Sequence, residues 1–307
     1  MNVATRSLRA INDFVRLVEV GPRDGLQNEK AIIAAADKIA LIDRLSDTGL
    51  RTIEATSFVS PKWIPQLADA AEVFTGIRRK VGVSYPVLVP NEQGYDRARA
   101  VGATEIAVFA ASSEAFSRKN INASIDESIE RFQPVLLRAQ ADGVKVRGYV
   151  STVLGCPYQG EVPVADVLRV SRRLHELGCY EISLGDTIGI GTPGKARAML
   201  RAVADAVPMT ALAVHFHDTR GQALANILAC LEEGVRVVDA AVSGTGGCPY
   251  AKGASGNVAT EDVVYMLEGM GMDTGVDLPR LVDTGRWLSQ LLGRASGSKV
   301  TVAGVGS

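Results

Sequence analysis

Alternation is the feature that most narrows what this chain can fold into. Short runs rich in β-branched and small apolar residues recur along it, each followed by a stretch of helical periodicity. Strand candidates are Val15–Val20, Thr52–Ala55, Gly82–Val89, Glu105–Ala110, Lys145–Ser151, Glu181–Leu184, Leu212–His215 and Val237–Val242. Helical stretches between them include Ile32–Ser46, Ile125–Ala141 and Val164–Leu177, which stop at or near Gly49, Gly143 and Gly178. Glycine just past a helix supplies the left-handed residue that ends it. Strands and helices in this order, within about 250 residues, predict an α/β fold, a (β/α)8 barrel. A doubly wound open sheet is the alternative, because periodicity does not reveal closure. No Pro/Gly/Ser-rich linker interrupts the 307 residues. The chain therefore reads as a single domain, with a barrel over about residues 14–275 and a C-terminal helix (Leu278–Leu292) and short polar tail within 276–307.

Composition removes several function classes. The net charge of −1 and the lack of a Lys/Arg-rich run leave no electrostatic footprint for nucleic acid. No apolar stretch reaches the roughly 18 residues that span a bilayer. The N-terminal residues carry Arg6 and Arg9 without a signal-peptide apolar segment, and the C-terminus matches no retention or peroxisomal address. Cys156, Cys179, Cys230 and Cys248 are too widely spaced for a disulfide framework or a Cys-x-x-Cys zinc pattern. A cytoplasmic protein is expected.

A barrel demands that functional groups collect after strands, at the C-terminal face. The run Gly21-Pro-Arg-Asp-Gly-Leu-Gln-Asn-Glu29 follows the first strand candidate, Glu54 ends the second, Asn91 follows the third and Asp186 the sixth. His215-Phe-His217 ends the seventh and holds two of the three histidines in the chain. Residues two apart on a strand project to one face, so both imidazoles can reach one metal ion. Two histidines hydrogen-bonded in a polar pocket is the plainer alternative. Asp24 offers a carboxylate to complete such a site, or else caps the following helix. One carboxylate and two imidazoles leave open positions suited to Mg²⁺, Mn²⁺ or a similar divalent cation. Arg23 can hold a developing oxyanion or form an ordinary ion pair. Glu54 can orient Arg23, share proton work or form a structural salt bridge. The loop after the last strand has five glycines between Gly244 and Gly256, a density that predicts mobility, and it carries Cys248. That thiol can deliver a proton to substrate or be a small buried side chain.

Two motifs are decoys. Gly189-Ile-Gly191-Thr-Pro-Gly194 fits G-x-G-x-x-G and nearly fits a P-loop, but Ala196 stands where the P-loop needs Ser or Thr. A metal-dependent hydrolase of the amidohydrolase type wants its His-x-His on the first strand with further histidines later; only His175 remains, in a helical stretch.

Arg23-Asp24, Glu54, His215-x-His217 and the run Gly-Gly-Cys-Pro-Tyr-Ala-Lys-Gly-Ala-Ser-Gly-Asn257 together resemble the 3-hydroxy-3-methylglutaryl-CoA lyase family over about residues 15–275. The resemblance implies a TIM barrel that cleaves the acyl-CoA to acetyl-CoA and acetoacetate. It implies that Asp24, His215, His217 and Asn257 bind the cation, and that Arg23, Glu54, Asp186, His215 and Cys248 do catalytic work, with His215 the first candidate for the base. It also implies a homodimer. Thr245 departs from the family pattern, where leucine is expected. A lyase for a longer-branched 3-hydroxyglutaryl-CoA and a Claisen-type synthase stay open, although Leu26-Gln27 follows Arg-Asp-Gly where such synthases read Glu-Gln. A non-catalytic metal-binding protein is a further alternative. Lys30, Lys62, Arg118 and Lys119 are candidate phosphate partners for CoA.

Overall fold

The computed structural model describes residues 14–247 and 256–304. The strands are β1 (Arg16–Glu19), β2 (Thr52–Ile53), β3 (Thr56–Ser57), β4 (Val87–Leu88), β5 (Glu105–Ala111), β6 (Lys145–Ser151), β7 (Glu181–Asp186), β8 (Leu212–Phe216) and β9 (Val237–Ala240). All pair in parallel, in the order β2-β1-β9-β8-β7-β6-β5-β4-β3. β2 and β3 are two halves of one strand, and that strand closes the sheet. On one side Val18 pairs with Thr52, and Glu54 N donates to Glu19 O. On the other, Ile53 N donates to Ser84 O, Ala55 N to Pro86 O and Phe58 N to Leu88 O. The barrel expectation holds and the open sheet is excluded. The long strand expected over Gly82–Val89 shrinks to Val87–Leu88, because residues 82–86 reach the neighbouring strand through single bonds and one isolated bridge.

The helices that matter here are α1 (Ala35–Ser46), α2 (Ala70–Gly76), α3 (Glu92–Ala100), α4 (Glu114–Ile121), α5 (Ile125–Ala141), α6 (Val164–Glu176), α7 (Pro193–Ala204), α8 (Ala223–Glu232), α9 (Thr260–Gly269), α10 (Leu278–Leu291) and α11 (Lys299–Ala303). α5 starts with a reciprocal cap: Ser124 Oγ accepts from Glu127 N and Glu127 Oε2 accepts from Ser124 N. It ends where Gly143 takes φ +66°, a backbone that a Cβ would strain. The expected polar tail contains α11, whose first turn is pinned by Asp262: its carboxylate accepts from Ser298 Oγ, Lys299 N and Val300 N.

Strand periodicity sorts side chains into two environments. Val146, Val150, Ile182, Leu184, Val214 and Phe216 join the core between barrel and helices. Their strand neighbours Arg147, Tyr149, Ser183 and His215 therefore point into the barrel. The barrel interior is partly apolar (Val18, Ala213, Val237) and partly ionic, with Arg147 and Asp239 paired across 92 residues of sequence. Among the described residues, no helix is long and apolar enough to cross a membrane.

Candidate active site

The turn after β1 carries the first two functional side chains. Pro22 enters it, and the amides of Arg23, Asp24 and Gly25 all donate to Val20 O, at 3.2, 2.8 and 3.1 Å. Leu26, fully buried, anchors the exit. Gly25 is needed for close approach, since a Cβ there would collide with Thr245 Oγ1. On β8, Val214 and Phe216 pack outward, which turns His215 and His217 inward. Residues 256–258 then run beside 216–218: Asp218 N donates to Gly256 O (2.8 Å) and Val258 N to Phe216 O (3.2 Å). That pairing sets Asn257 next to His217.

Asp24, His215 and His217 present ligand atoms that all lie within 4.8 Å of one another. His215 Nε2 stands 3.8 Å from Asp24 Oδ2. Asn257 Nδ2 donates to Asp24 Oδ2 (2.8 Å) and to Thr245 O (3.2 Å), so the fourth expected ligand lies beside the same centre with its amide nitrogen, not its oxygen, turned to Asp24. The donor set fits a divalent cation. His217 Nδ1 is buried without a hydrogen-bond partner among the described residues, an orphan that a second use would explain. Burial, reinforced by His215, pushes His217 down to about 4, so its imidazole is neutral, the form that ligates. Burial opposes the charge on Asp24, yet Arg23, the two imidazoles and the Asn257 amide outweigh it and hold the carboxyl well below its ordinary range.

Arg23 donates Nη1 to Asp24 Oδ1 and Nε to Glu54 Oε2, both at 2.7 Å. Its Cζ lies 5.4 Å from the Tyr149 ring centroid, and Tyr149 Oη donates to the same Glu54 oxygen at 3.1 Å. Glu54 is fully buried, with its carboxyl pushed up by that burial against the pull of Arg23. It lies behind Arg23, outside the cavity wall.

A cavity of about 760 Å³ opens above this cluster. Arg23, Asp24, Tyr149, His215 and His217 line it together with the apolar side chains Leu88, Phe109, Phe116 and Phe132. Trp63, 80% exposed, and the cations Lys119 and Arg131 complete its wall. Among the expected phosphate partners, Lys119 alone lines this cavity; Lys30 lines a smaller hollow with Arg294, and Arg118 faces Glu114 at 3.9 Å. Gly247 also lines the cavity and accepts from Asn28 Nδ2 at 3.0 Å. Cys248, next in sequence, lies outside the described residues. Cys156, Cys179 and Cys230 are free and buried.

Two strand-end residues serve their own loops. Asp186 accepts from Gly191 N (2.8 Å) and Ile190 N (3.2 Å) and does not line the cavity. Asn91 lines the cavity, but its Oδ1 accepts from Gly94 N at 2.9 Å and caps α3. Sequence reasoning missed Tyr149, Arg147 and Asp239. The available signal was a polar or charged residue inside an apolar strand, Arg147 and Tyr149 in Lys-Val-Arg-Gly-Tyr-Val and Asp239 in Val-Val-Asp-Ala.

The root of the loop after β9 is held from the C-terminal segment. Ser243 takes a left-handed backbone (φ 60°). Its amide donates to the Glu261 carboxylate (2.9 Å), its hydroxyl donates to Gly285 O (2.8 Å) and shares hydrogen bonds with Ser289 and Ser296, and its carbonyl accepts from Gly297 N (2.8 Å).

The HMGL-like family model matches residues 14–288. A hydroxymethylglutaryl-CoA lyase, mitochondrial, of Gallus gallus is 62% identical over 289 residues, which cover 94% of this chain and 97% of that protein. A 3-hydroxy-3-methylglutaryl-CoA lyase, cytoplasmic, of Mus musculus is 60% identical over 296 residues, 96% of this chain and 86% of that protein. The crystal structure of a hydroxymethylglutaryl-CoA lyase from Pseudomonas aeruginosa superposes with a TM-score of 0.94 at 58% identity, covering 95% of this chain and 98% of that one.

Proposed function

The chain belongs to the HMGL-like family, and from that premise we propose that it is a carbon–carbon lyase that cleaves 3-hydroxy-3-methylglutaryl-CoA to acetyl-CoA and acetoacetate. The observation that carries the reading is the convergence of Asp24, His215 and His217 on one centre, with Arg23 beside them at the wall of a cavity large enough for an acyl thioester.

Asp24, His215, His217 and Asn257 hold a divalent cation. When bound, it supplies a Lewis acid that acidifies the substrate's tertiary hydroxyl and orients its oxygens. Two groups of the set can take the hydroxyl proton, Asp24 and His215. As the proton leaves, the alkoxide electrons form the ketone and the adjacent C–C bond breaks, passing its electron pair to the acetyl-CoA enolate. Arg23 Nη2, which makes no hydrogen bond to a described residue, donates to that enolate oxygen. Glu54 and Tyr149 hold the guanidinium in place from behind. Cys248 protonates the enolate carbon and completes acetyl-CoA. Asp186 shapes the loop after β7.

Mg²⁺ or Mn²⁺ is the ion, supported by the carboxylate, amide and imidazole donors. The exposed cations Lys119 and Arg131 at the cavity wall support phosphate contact with CoA. The protein acts in the cytoplasm as a homodimer; free thiols at Cys156, Cys179 and Cys230 are in keeping with a reducing compartment. Light scattering after size exclusion tests the dimer.

The deciding experiment is purified protein with Mg²⁺ and 3-hydroxy-3-methylglutaryl-CoA, with acetoacetate measured and Cys248→Ala alongside. Turnover by the wild type and severe loss in the variant are expected. No acetoacetate from the wild type refutes the reaction, and normal turnover by the variant removes Cys248 from it.

A further inference from the structure

An ionic chain runs beneath the site, inside the barrel, and one end of it touches a proposed cation ligand. Asp239 on β9 is 1% exposed. Its Oδ1 accepts from Arg147 Nη2 at 2.7 Å; its Oδ2 accepts from Arg147 Nη1 at 2.9 Å and from Ser183 Oγ at 2.8 Å. The same Oδ2 lies 3.2 Å from His215 Nδ1. Arg147, fully buried, also donates Nε to Glu181 at 2.7 Å, and Glu181 is paired in turn with Arg16.

This arrangement is an expensive way to fill a barrel. Buried ion pairs contribute little net stability compared with apolar side chains of similar volume. What it does achieve is local. A carboxylate gripped by both arms of a guanidinium is ionised and has no proton to give, so it can only accept from His215. The imidazole proton must then sit on Nδ1. Nε2 keeps its lone pair and points toward Asp24 at 3.8 Å, longer than a hydrogen bond and short enough for both atoms to meet one ion. His217 is the contrast: among the described residues its Nδ1 has no hydrogen-bond partner.

We propose that Asp239 is a positioning residue that locks His215 in the Nδ1–H form, with Arg147 and Ser183 holding the Asp239 carboxylate in register, so that Nε2 is a ready cation ligand before any ion arrives. This deepens the metal-assisted reading above and rests on it. It has one mechanistic consequence: with Nδ1 bound to Asp239 and Nε2 given to the ion, His215 has no nitrogen left for proton transfer.

The chain has only three histidines, which makes the lock directly measurable. Long-range ¹H–¹⁵N correlation of the imidazoles in the chelator-treated full chain, with His175 assigned through His175→Gln and His215 through His215→Gln, reads each tautomer. The expected result is a single Nδ1–H form for His215. An Nε2–H form or a mixture at His215 in the wild type overturns the proposal, and this measurement needs no variant at Asp239 to fold. In Asp239→Ala no acceptor faces Nδ1, so the Nδ1–H form is no longer selected. That variant should show a mixture of tautomers at His215 and bind Mn²⁺ about 10–100-fold more weakly by calorimetry. A folded Asp239→Ala that binds Mn²⁺ as tightly as the wild type also overturns the proposal. Failure of the reaction itself reads differently: no acetoacetate from a wild type that keeps the Nδ1–H form and binds Mn²⁺ sinks the lyase and leaves the lock standing.

Discussion

Arg23→Lys tests the proposed chemistry most sharply, because charge is conserved and geometry is not. The guanidinium meets Glu54 through Nε and Asp24 through Nη1, each at 2.7 Å, and leaves Nη2 for the substrate. Lysine offers one ammonium on a flexible stem. It can reach one or two of these partners but cannot reproduce a planar fork that serves three. Ion pairing with the buried Glu54 or with Asp24 will claim it, so the enolate oxygen loses its donor. Loss of one donor aimed at a developing oxyanion costs about 2.7–4 kcal/mol, or about 100–1000-fold in kcat. KM should move little, since that oxygen gains its charge only on the way to the transition state. The assay is the initial rate of acetoacetate release over a range of substrate concentrations, with a thermal melt to show that the variant is folded. A folded Arg23→Lys within tenfold of wild-type kcat, or one whose loss is entirely in KM, refutes the oxyanion role.

Three further outcomes follow from the same geometry. Adding Mg²⁺ at about 100 times its Kd should stabilise the wild type by about 2.7 kcal/mol and leave Asp24→Ala unmoved; equal shifts in Tm would show that the ion binds elsewhere. Glu19 and Glu261 are buried carboxyls pushed up by burial to about 7 and about 8, above the value of about 4.3 expected in the unfolded chain. Between about pH 4.3 and about 8 the native state holds more protons than the unfolded state, so stability falls as pH rises across that range and levels off above it; urea titrations should show this fall flattened in Glu19→Gln and Glu261→Gln, and a rise in wild-type stability over that window would contradict it. Ser243→Ala removes the hydroxyl's hydrogen bonds to Gly285 O, Ser289 and Ser296 and keeps the left-handed strain, which should cost about 0.5–1.5 kcal/mol per net bond lost, whereas Ser243→Gly should be about 1 kcal/mol less destabilised because glycine relieves that strain. Melting temperatures in the reverse order would remove backbone strain from the account.

Much of the fold and the centre of the site were legible because they depend on local periodicity. Val214 and Phe216 belong to the helix-side core, so His215 and His217 had to face the barrel interior. Asp24 was legible for a similar reason: it lies in a short run directly after a strand, and such runs gather at one rim. Strand-end position was a poorer guide to role. Glu54 lies between β2 and β3, Asn91 follows β4 and Asp186 ends β7, yet the first lies behind Arg23, the second caps α3 and the third ties its own loop. Position along a strand fixes the face a side chain takes, and the partner it meets there is set by other segments.

Alone, the sequence determined the strand–helix alternation, the inward face of the two imidazoles and the chemical types available at the rim, because each follows from spacing within a few residues. Tertiary structure alone decided that residues 52–57 close the sheet, that Asn257 reaches Asp24 across 233 positions, and that Asp239 takes hold of His215 while Arg147 takes hold of Asp239. Those contacts depend on strand register around a closed barrel, which brings distant residues together through cooperative packing that no local pattern encodes.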